Sequence, residues 1–450
     1  MPKTPQKHSH SGYEYIKSSG GIDEYRLKKN GLTVLLMLER SVPVVNVMVT
    51  YHVGSRNEAL GYTGAAHLLE HLLFKGSRKF NKKNKNDITE VLETRGARLN
   101  ASTWNDRTNY YELLSRDYLD EALAFEADRM RHAFLKESGR ASEMTVVRNE
   151  FERGENSAFE ALDKQMWASA YQAHPYHHST IGWRSDIEHI SIKRLKQFYD
   201  TFYWPNNATV SVLGDLDRTT ALGKIAYYFG VHSRSPHEIP GMYTTEPKQE
   251  GERRTVVSRT GQSRIIAVAH KIPEGLHPDT YPLMVLGIIL AGGKASRLYR
   301  ALVDKGYATE LFPWTMPFHD NGLFIIYAFL TPGTEHASVE KTIVSVYERI
   351  KKHGITEAEL LRAKAVVAAE TAFGRDGVYA IAGALNEAIA IGDWTFYTNF
   401  SKNIETVTRE EVMRVAREYL VSDQATIGYC IPKSAKKLLS RIPSIKHSGR

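Results

Sequence analysis

Apolar and polar positions along the chain fall into two blocks that repeat one order of elements. In the first block, β-type apolar runs predict strands over 33–38 and 44–51, followed by a short apolar helix carrying residues 67–71. A strand run over 98–115 and a helix over 118–134 come next. A further helix follows in which Met144, Val147 and Phe151 recur at helical spacing. In the second block, strands over 255–258 and 265–270 precede an apolar helix at 281–290. A strand-rich region over 307–330 then leads to helices at 338–352 and 356–371. Between the blocks, over 229–254, serine, proline, glycine and charged residues replace any periodic pattern, which marks a linker.

Two α+β halves of one design are therefore expected. Each is an α/β sandwich, with a sheet buried under its helices. The expected organisation is a disordered tail over 1–20, a first domain over 21–229, a linker over 230–254, a second domain over 255–440 and a basic tail over 441–450. The chain has 450 residues, more than one typical domain, and 42% of them are hydrophobic, a globular composition. No apolar run is long enough to span a bilayer.

Charge changes this picture little. The net charge of +8 raises the question of nucleic acid, but the basic residues are spread out except over 75–85 and 433–450, and no nucleic-acid module is visible. A solvated basic face, or a preference for acidic peptides, is the economical reading. The single cysteine, Cys430, excludes an internal disulfide. The first ten residues lack the apolar core of a secretory signal, so a cytoplasmic protein that binds neither nucleic acid nor membrane is expected.

The candidate chemistry sits in the first block, at His67-Leu-Leu-Glu-His71. Histidines four apart on a helix share a face and can reach one zinc ion. Glu70 lies beside them, where a carboxylate can take a proton from an attacking water. The pattern is the inverted form of the H-E-x-x-H zinc-peptidase motif. A catalytic zinc usually takes three protein ligands, and the acidic helix supplies candidates. Glu143 and Glu150, seven apart, share a face; one can bind the metal while the other holds a histidine. Spacing alone leaves open which is which. A second histidine group, over 174–178, lies in a loop-like stretch beside Pro175 and is expected to pack rather than to bind metal. Small and polar residues at Asn100, Ala101, Ser102 and Thr103 suggest an edge strand whose backbone stays open for pairing.

The turn Gly54-Ser-Arg-Asn-Glu58, the block from His67 to Gly76 and the segment Val146-Val-Arg-Asn-Glu150 together resemble the pitrilysin/insulinase family of zinc metallopeptidases, which includes the mitochondrial processing peptidase. The separation of His71 from Glu150 is slightly longer than the family's commonest spacing, and the lysine- and asparagine-rich run 82–86 is a natural place for a small insertion. The resemblance implies one zinc per chain held by His67, His71 and Glu150, with Glu70 as general base and Glu143 supporting a ligand. It also implies that Arg300 and Tyr307, in the segment from Ser296 to Tyr307, reach a zinc site and stabilise the oxyanion. Residues 100–103 would bind substrate by strand addition. The two halves would form half of a peptidase clamshell with the two sheets as its inner walls.

The activity so implied is zinc-dependent endoproteolysis of peptides or unfolded segments, by a homodimer or by a heterodimer with a related chain. A non-catalytic scaffold, or a processing-peptidase subunit of a heteromeric complex, is the alternative the same resemblance allows.

Overall fold

Every strand of the described residues belongs to one of two sheets. The structure is a computed structural model that describes residues 10–433. The first sheet comprises β1 (Tyr13–Ser19), β2 (Ile22–Leu27), β3 (Thr33–Leu38), β4 (Val44–Tyr51), β5 (Arg98–Thr103), β6 (Thr108–Ser115) and β7 (Ala208–Gly214), in the order β1-β2-β3-β7-β4-β6-β5. The second comprises β8 (Arg253–Thr260), β9 (Ile265–Lys271), β10 (Ala308–Trp314), β11 (Leu323–Leu330) and β12 (Ala425–Lys433), in the order β10-β11-β9-β12-β8.

The repeat seen in the sequence is also a repeat of topology. β5-β6-β4-β7-β3 and β10-β11-β9-β12-β8 are the same five-stranded unit, each with one parallel pair, β3 with β7 and β8 with β12. Their other pairs are antiparallel. The first unit is extended by the β1–β2 hairpin. This corrects the expected disordered tail over 1–20, because residues 13–19 form β1, where Tyr13 is buried and its hydroxyl donates to the Leu222 carbonyl at 2.9 Å. The expected basic tail over 441–450 lies outside the described residues.

Central strands are buried on both faces, as their nearly unbroken apolar runs require. On one face of the first sheet, Val45, Val47 and Val49 join a core with Leu123 and Phe125 of helix Leu119–His132 and Leu222 and Ile225 of helix Arg218–Phe229. On the other face, Leu35, Met48 and Leu213 meet Val378, Ala382, Leu385 and Ile389 of helix Gly377–Ala390, which comes from the second half. The exchange is reciprocal. Helix Ala158–Ala170 of the first half lays Leu162 and Met166 against Ile265, Ala267 and Ile325 of the second sheet. The backbone there comes so close that a Cβ at Gly428 would stand 2.3 Å from the Met166 sulfur. Each fully buried side chain of this kind contributes roughly 1.5–3 kcal/mol, so the lent helices tie the halves together. The expected sheet walls are thus not bare within one chain, since each carries a helix from the opposite half.

The run expected as strand over 98–115 is two strands joined by a tight turn, closed by Trp104 N–H donating to the Arg107 carbonyl at 2.9 Å. Residues 82–86 lie in a loop with a short turn, Lys82–Asn84, capped by Asn81. Residues 231–252 carry no helix or strand, yet they are pinned: the Glu246 carboxylate accepts from the amides of Gln172, Ala173 and His174 and from Lys271. Burial alone would raise its pKa, but the Lys271 and amide hydrogen bonds hold it at about 2. No helix among the described residues is long and apolar enough to cross a membrane.

Candidate metal centre

The histidine helix, Ala65–Leu72, buries Leu68, Leu69 and Leu72 in the first core and leaves His67, Glu70 and His71 on the remaining side. It starts at Gly64, whose φ of 87° and whose approach to the Ile181 carbonyl, 2.5 Å from where a Cβ would stand, both demand glycine. Gly64 has no side chain to cap the helix, and Glu58 does so instead, accepting from the Gly64 amide at 2.7 Å and the Ala66 amide at 2.8 Å. Opposite lies helix Glu137–Asn156, seated on the same core by Met144 and Val147.

Three side chains converge between these helices. Nε2 of His67 lies 3.3 Å from Nε2 of His71, and the Glu150 Oε2 lies 3.5 Å from the first and 3.8 Å from the second. Ligands bound tetrahedrally at about 2.0–2.1 Å from one zinc would stand about 3.3 Å apart, so the donor set fits that ion. Burial, with His71 adding to it, pushes the His67 pKa down to about 4, which keeps the ring neutral as a metal ligand must be. Glu143 faces the other side of His71, its Oε2 2.9 Å from Nδ1, and its second oxygen is paired with Lys75. Burial works to raise the Glu143 pKa, but hydrogen bonds from Lys75 and His71 outweigh it and hold the carboxyl below its ordinary value. A carboxylate at Nδ1 places the His71 proton there and leaves Nε2 free to bind. Glu150 and Glu143, indistinguishable by spacing, thus differ in which histidine nitrogens they face.

Among the described residues, this is the only group of three metal-ligating side chains whose ligand atoms gather, all within 4.8 Å of one another. The histidines over 174–178 do not form a second. His174 binds Asp320 through Nε2 at 3.1 Å and accepts the Tyr176 amide, while His178 turns Nδ1 to the Ser179 carbonyl.

Glu70 is not free. Its Oε2 accepts a 2.6 Å hydrogen bond from the Thr103 hydroxyl, a contact that no local pattern in the chain signals. Burial raises the Glu70 pKa, and Thr103 and then His71 oppose the rise. Thr103 ends β5, which is indeed the edge of its sheet. Because Trp104 and Arg107 form a hydrogen-bonded pair, the alternation of the antiparallel ladder directs the main-chain groups of Ser102 toward Asn109 and those of Ala101 and Thr103 outward. The Asn100 carboxamide accepts the outward amide of Ala101 at 2.9 Å. Beside His67 and Glu150 opens a cavity of about 460 Å³ walled by Trp104, Phe159, Trp167 and Trp314.

Arg300 and Tyr307 are not among the residues that gather here. Arg300 lies in a π-helical turn, Tyr299–Val303, and Tyr307 just before β10; both are exposed and neither lines the cavity.

The family model described as "Insulinase (Peptidase family M16)" matches residues 33–183, and that described as "Peptidase M16 inactive domain" matches residues 189–367. The zinc protease PqqE of Helicobacter pylori is 33% identical over 409 residues, covering 90% of this chain and 91% of that protein. The chain belongs to the insulinase family, peptidase family M16. The crystal structure of a protease from Helicobacter pylori superposes with a TM-score of 0.85 at 31% identity, covering 93% of this chain and 99% of that one. Pitrilysin shares the fold at 19% identity and a TM-score of 0.76, with this chain covering 47% of its length. The family description "inactive domain" falls on the part of the chain that lacks the H-x-x-E-H motif.

Proposed function

We propose that this insulinase-family chain is a zinc-dependent endopeptidase acting on peptides or unfolded polypeptide segments. The observation that carries the reading is the convergence of His67, His71 and Glu150 at the spacing of a single tetrahedral ion, with Glu70 beside them. Zinc held there supplies Lewis acidity and lowers the pKa of a water. Glu70 takes the proton of the attacking water on its carboxylate and returns it to the leaving amine. The Thr103 hydroxyl fixes one Glu70 oxygen, which leaves the other for that proton. β5 holds the substrate as an added strand through the outward main-chain groups of Ala101 and Thr103, so sequence tolerance is broad.

The guanidinium of Arg300 and the phenol of Tyr307 bind the substrate and its oxyanion from a second chain, since both are exposed and lie outside the cavity of their own chain. The working unit is accordingly a homodimer. A panel of quenched peptides, assayed alongside metal analysis, tests the reading: hydrolysis that chelation abolishes and zinc restores is expected, and a zinc-loaded chain that cleaves nothing would favour the scaffold alternative.

A further inference from the structure

The turn between β5 and β6 carries a second arrangement that the catalytic residues do not account for. Arg107 is only 10% exposed in its side chain, and each of its three nitrogens is engaged. Nη1 donates to the Ser102 carbonyl at 3.0 Å, the Ser102 hydroxyl at 2.6 Å and the Asn109 side-chain oxygen at 3.0 Å. Nε and Nη2 both donate to Oε1 of Glu387, at 3.2 and 2.5 Å. Glu387 belongs to helix Gly377–Ala390, the helix lent by the second half. The neighbouring Asn386 anchors that helix to β4 by accepting from the Thr50 hydroxyl at 2.7 Å.

An ion pair whose carboxylate is 40% exposed contributes little to stability. What it fixes is orientation, because a planar guanidinium gripped on one side by a carboxylate can present its remaining N–H groups in one direction only. That direction is Ser102. On either side of Ser102 stand Ala101 and Thr103, whose main-chain groups face outward from the sheet, and Thr103 also holds Glu70.

We propose that Arg107 and Glu387 are a positioning pair through which the C-terminal half holds the edge strand β5 in the geometry that accepts an extended polypeptide. The inference rests on the peptidase reading, since it concerns how that substrate is seated. The N-terminal half carries the chemistry and the edge strand, while the C-terminal half sets how well the strand is presented. Neither residue touches the metal ligands, so the pair acts on substrate binding and leaves the metal in place.

The test is binding of fluorescein-labelled, denatured casein to the full zinc-loaded Glu70→Gln chain, read by fluorescence anisotropy. Adding Arg107→Ala or Glu387→Ala should raise the Kd about tenfold, a typical effect of losing a charge-assisted hydrogen bond. The double substitution should be no worse than the worse single one, because the two residues act as a unit. Glu387→Gln keeps an acceptor oxygen and should bind nearly as the parent does, whereas Arg107→Lys has no fork to span Glu387 and Ser102 and should not. Zinc content should stay at the parental value, and each variant should still unfold in one cooperative transition above the assay temperature, so that lost affinity is not lost fold. Casein affinity unchanged in both alanine variants, or lost only together with zinc or with the folded state, overturns the proposal. The peptidase reading fails separately, if the wild-type chain binds casein and does not cleave it.

Discussion

Thr103, the last residue of the edge strand, donates its hydroxyl to Glu70 of the histidine helix at 2.6 Å, so one residue links the strand to the carboxylate. Glu70→Gln should retain zinc and lose activity by about 10²–10⁴-fold, the usual range for general-base catalysis, because an amide cannot take the proton. Thr103→Val keeps the β-branched shape and removes the donor. It should lower kcat while metal content stays constant. Full activity in Glu70→Gln, measured on protein of verified zinc content, would remove Glu70 from the mechanism.

The two glutamates of the acidic helix should separate by metal affinity. Glu150 lies against both Nε2 atoms, so Glu150→Gln should lose zinc outright. Of the histidine nitrogens Glu143 meets only Nδ1 of His71, its other oxygen being paired with Lys75, and Glu143→Gln should weaken zinc binding by roughly 10–100-fold, as loss of an outer carboxylate does. Titration of the metal-free protein with a competing chelator reads both constants. Reversed magnitudes would exchange the two assignments.

What is legible in the sequence depends on the distance over which each contact acts. Apolar runs mark β3, β4, β8 and β9, and the helical spacing of His67 and His71 marks the site, because both signals are local. The choice between Glu143 and Glu150 is not local. Seven residues apart they share a face, and only the packing of helix Glu137–Asn156 against the histidine helix sets which nitrogens each meets. Glu58 as the cap of the histidine helix, and Thr103 as the partner of Glu70, likewise depend on turns and registers that place distant residues together. β1 reads as tail because its pattern of Tyr13, Tyr15 and Lys17 is short and polar. The helices 158–170 and 377–390 are apolar enough to be expected in a core, but nothing in their composition says that each covers the sheet of the other half.

The buried histidines contribute stability that is lost on mild acidification. Burial pushes the pKa of His52 and His178 down to about 4 and that of His270 to about 3, against an ordinary value of 6.5. The folded state keeps these rings neutral, while the unfolded chain takes up protons below pH 6.5. Their contribution is therefore complete above about pH 6.5 and is lost as pH falls toward 4, or toward 3 for His270. The loss reaches at most about 1.4 kcal/mol per ring for every pH unit that separates its folded from its unfolded pKa. Burial raises the pKa of Glu112 to about 8 and of Asp163 to about 6, which works in the opposite direction, so the histidine share is read as the difference in thermal midpoint between parent and variant across the window. His270→Phe, at a site packed against the Tyr347 ring, should flatten the slope, and an unchanged slope in that variant would exclude His270 as a contributor.

The dimer makes the strictest demand. Arg300 and Tyr307 are exposed and do not line the cavity that holds His67 and Glu150, so in the proposed enzyme they complete the site of a partner chain. A Glu70→Gln chain and an Arg300→Ala, Tyr307→Ala chain should each be nearly inactive alone. After subunit exchange, a mixed dimer has one site with neither lesion and one with both. Mixing equal amounts should then restore activity to roughly a quarter of wild type, because about half the dimers are mixed and each carries one intact site. Subunit exchange is followed by native mass spectrometry of differently tagged chains. Exchange without recovered activity would mean that the pair serves its own chain or takes no part, and an active enzyme that sediments only as a monomer would exclude the shared site altogether.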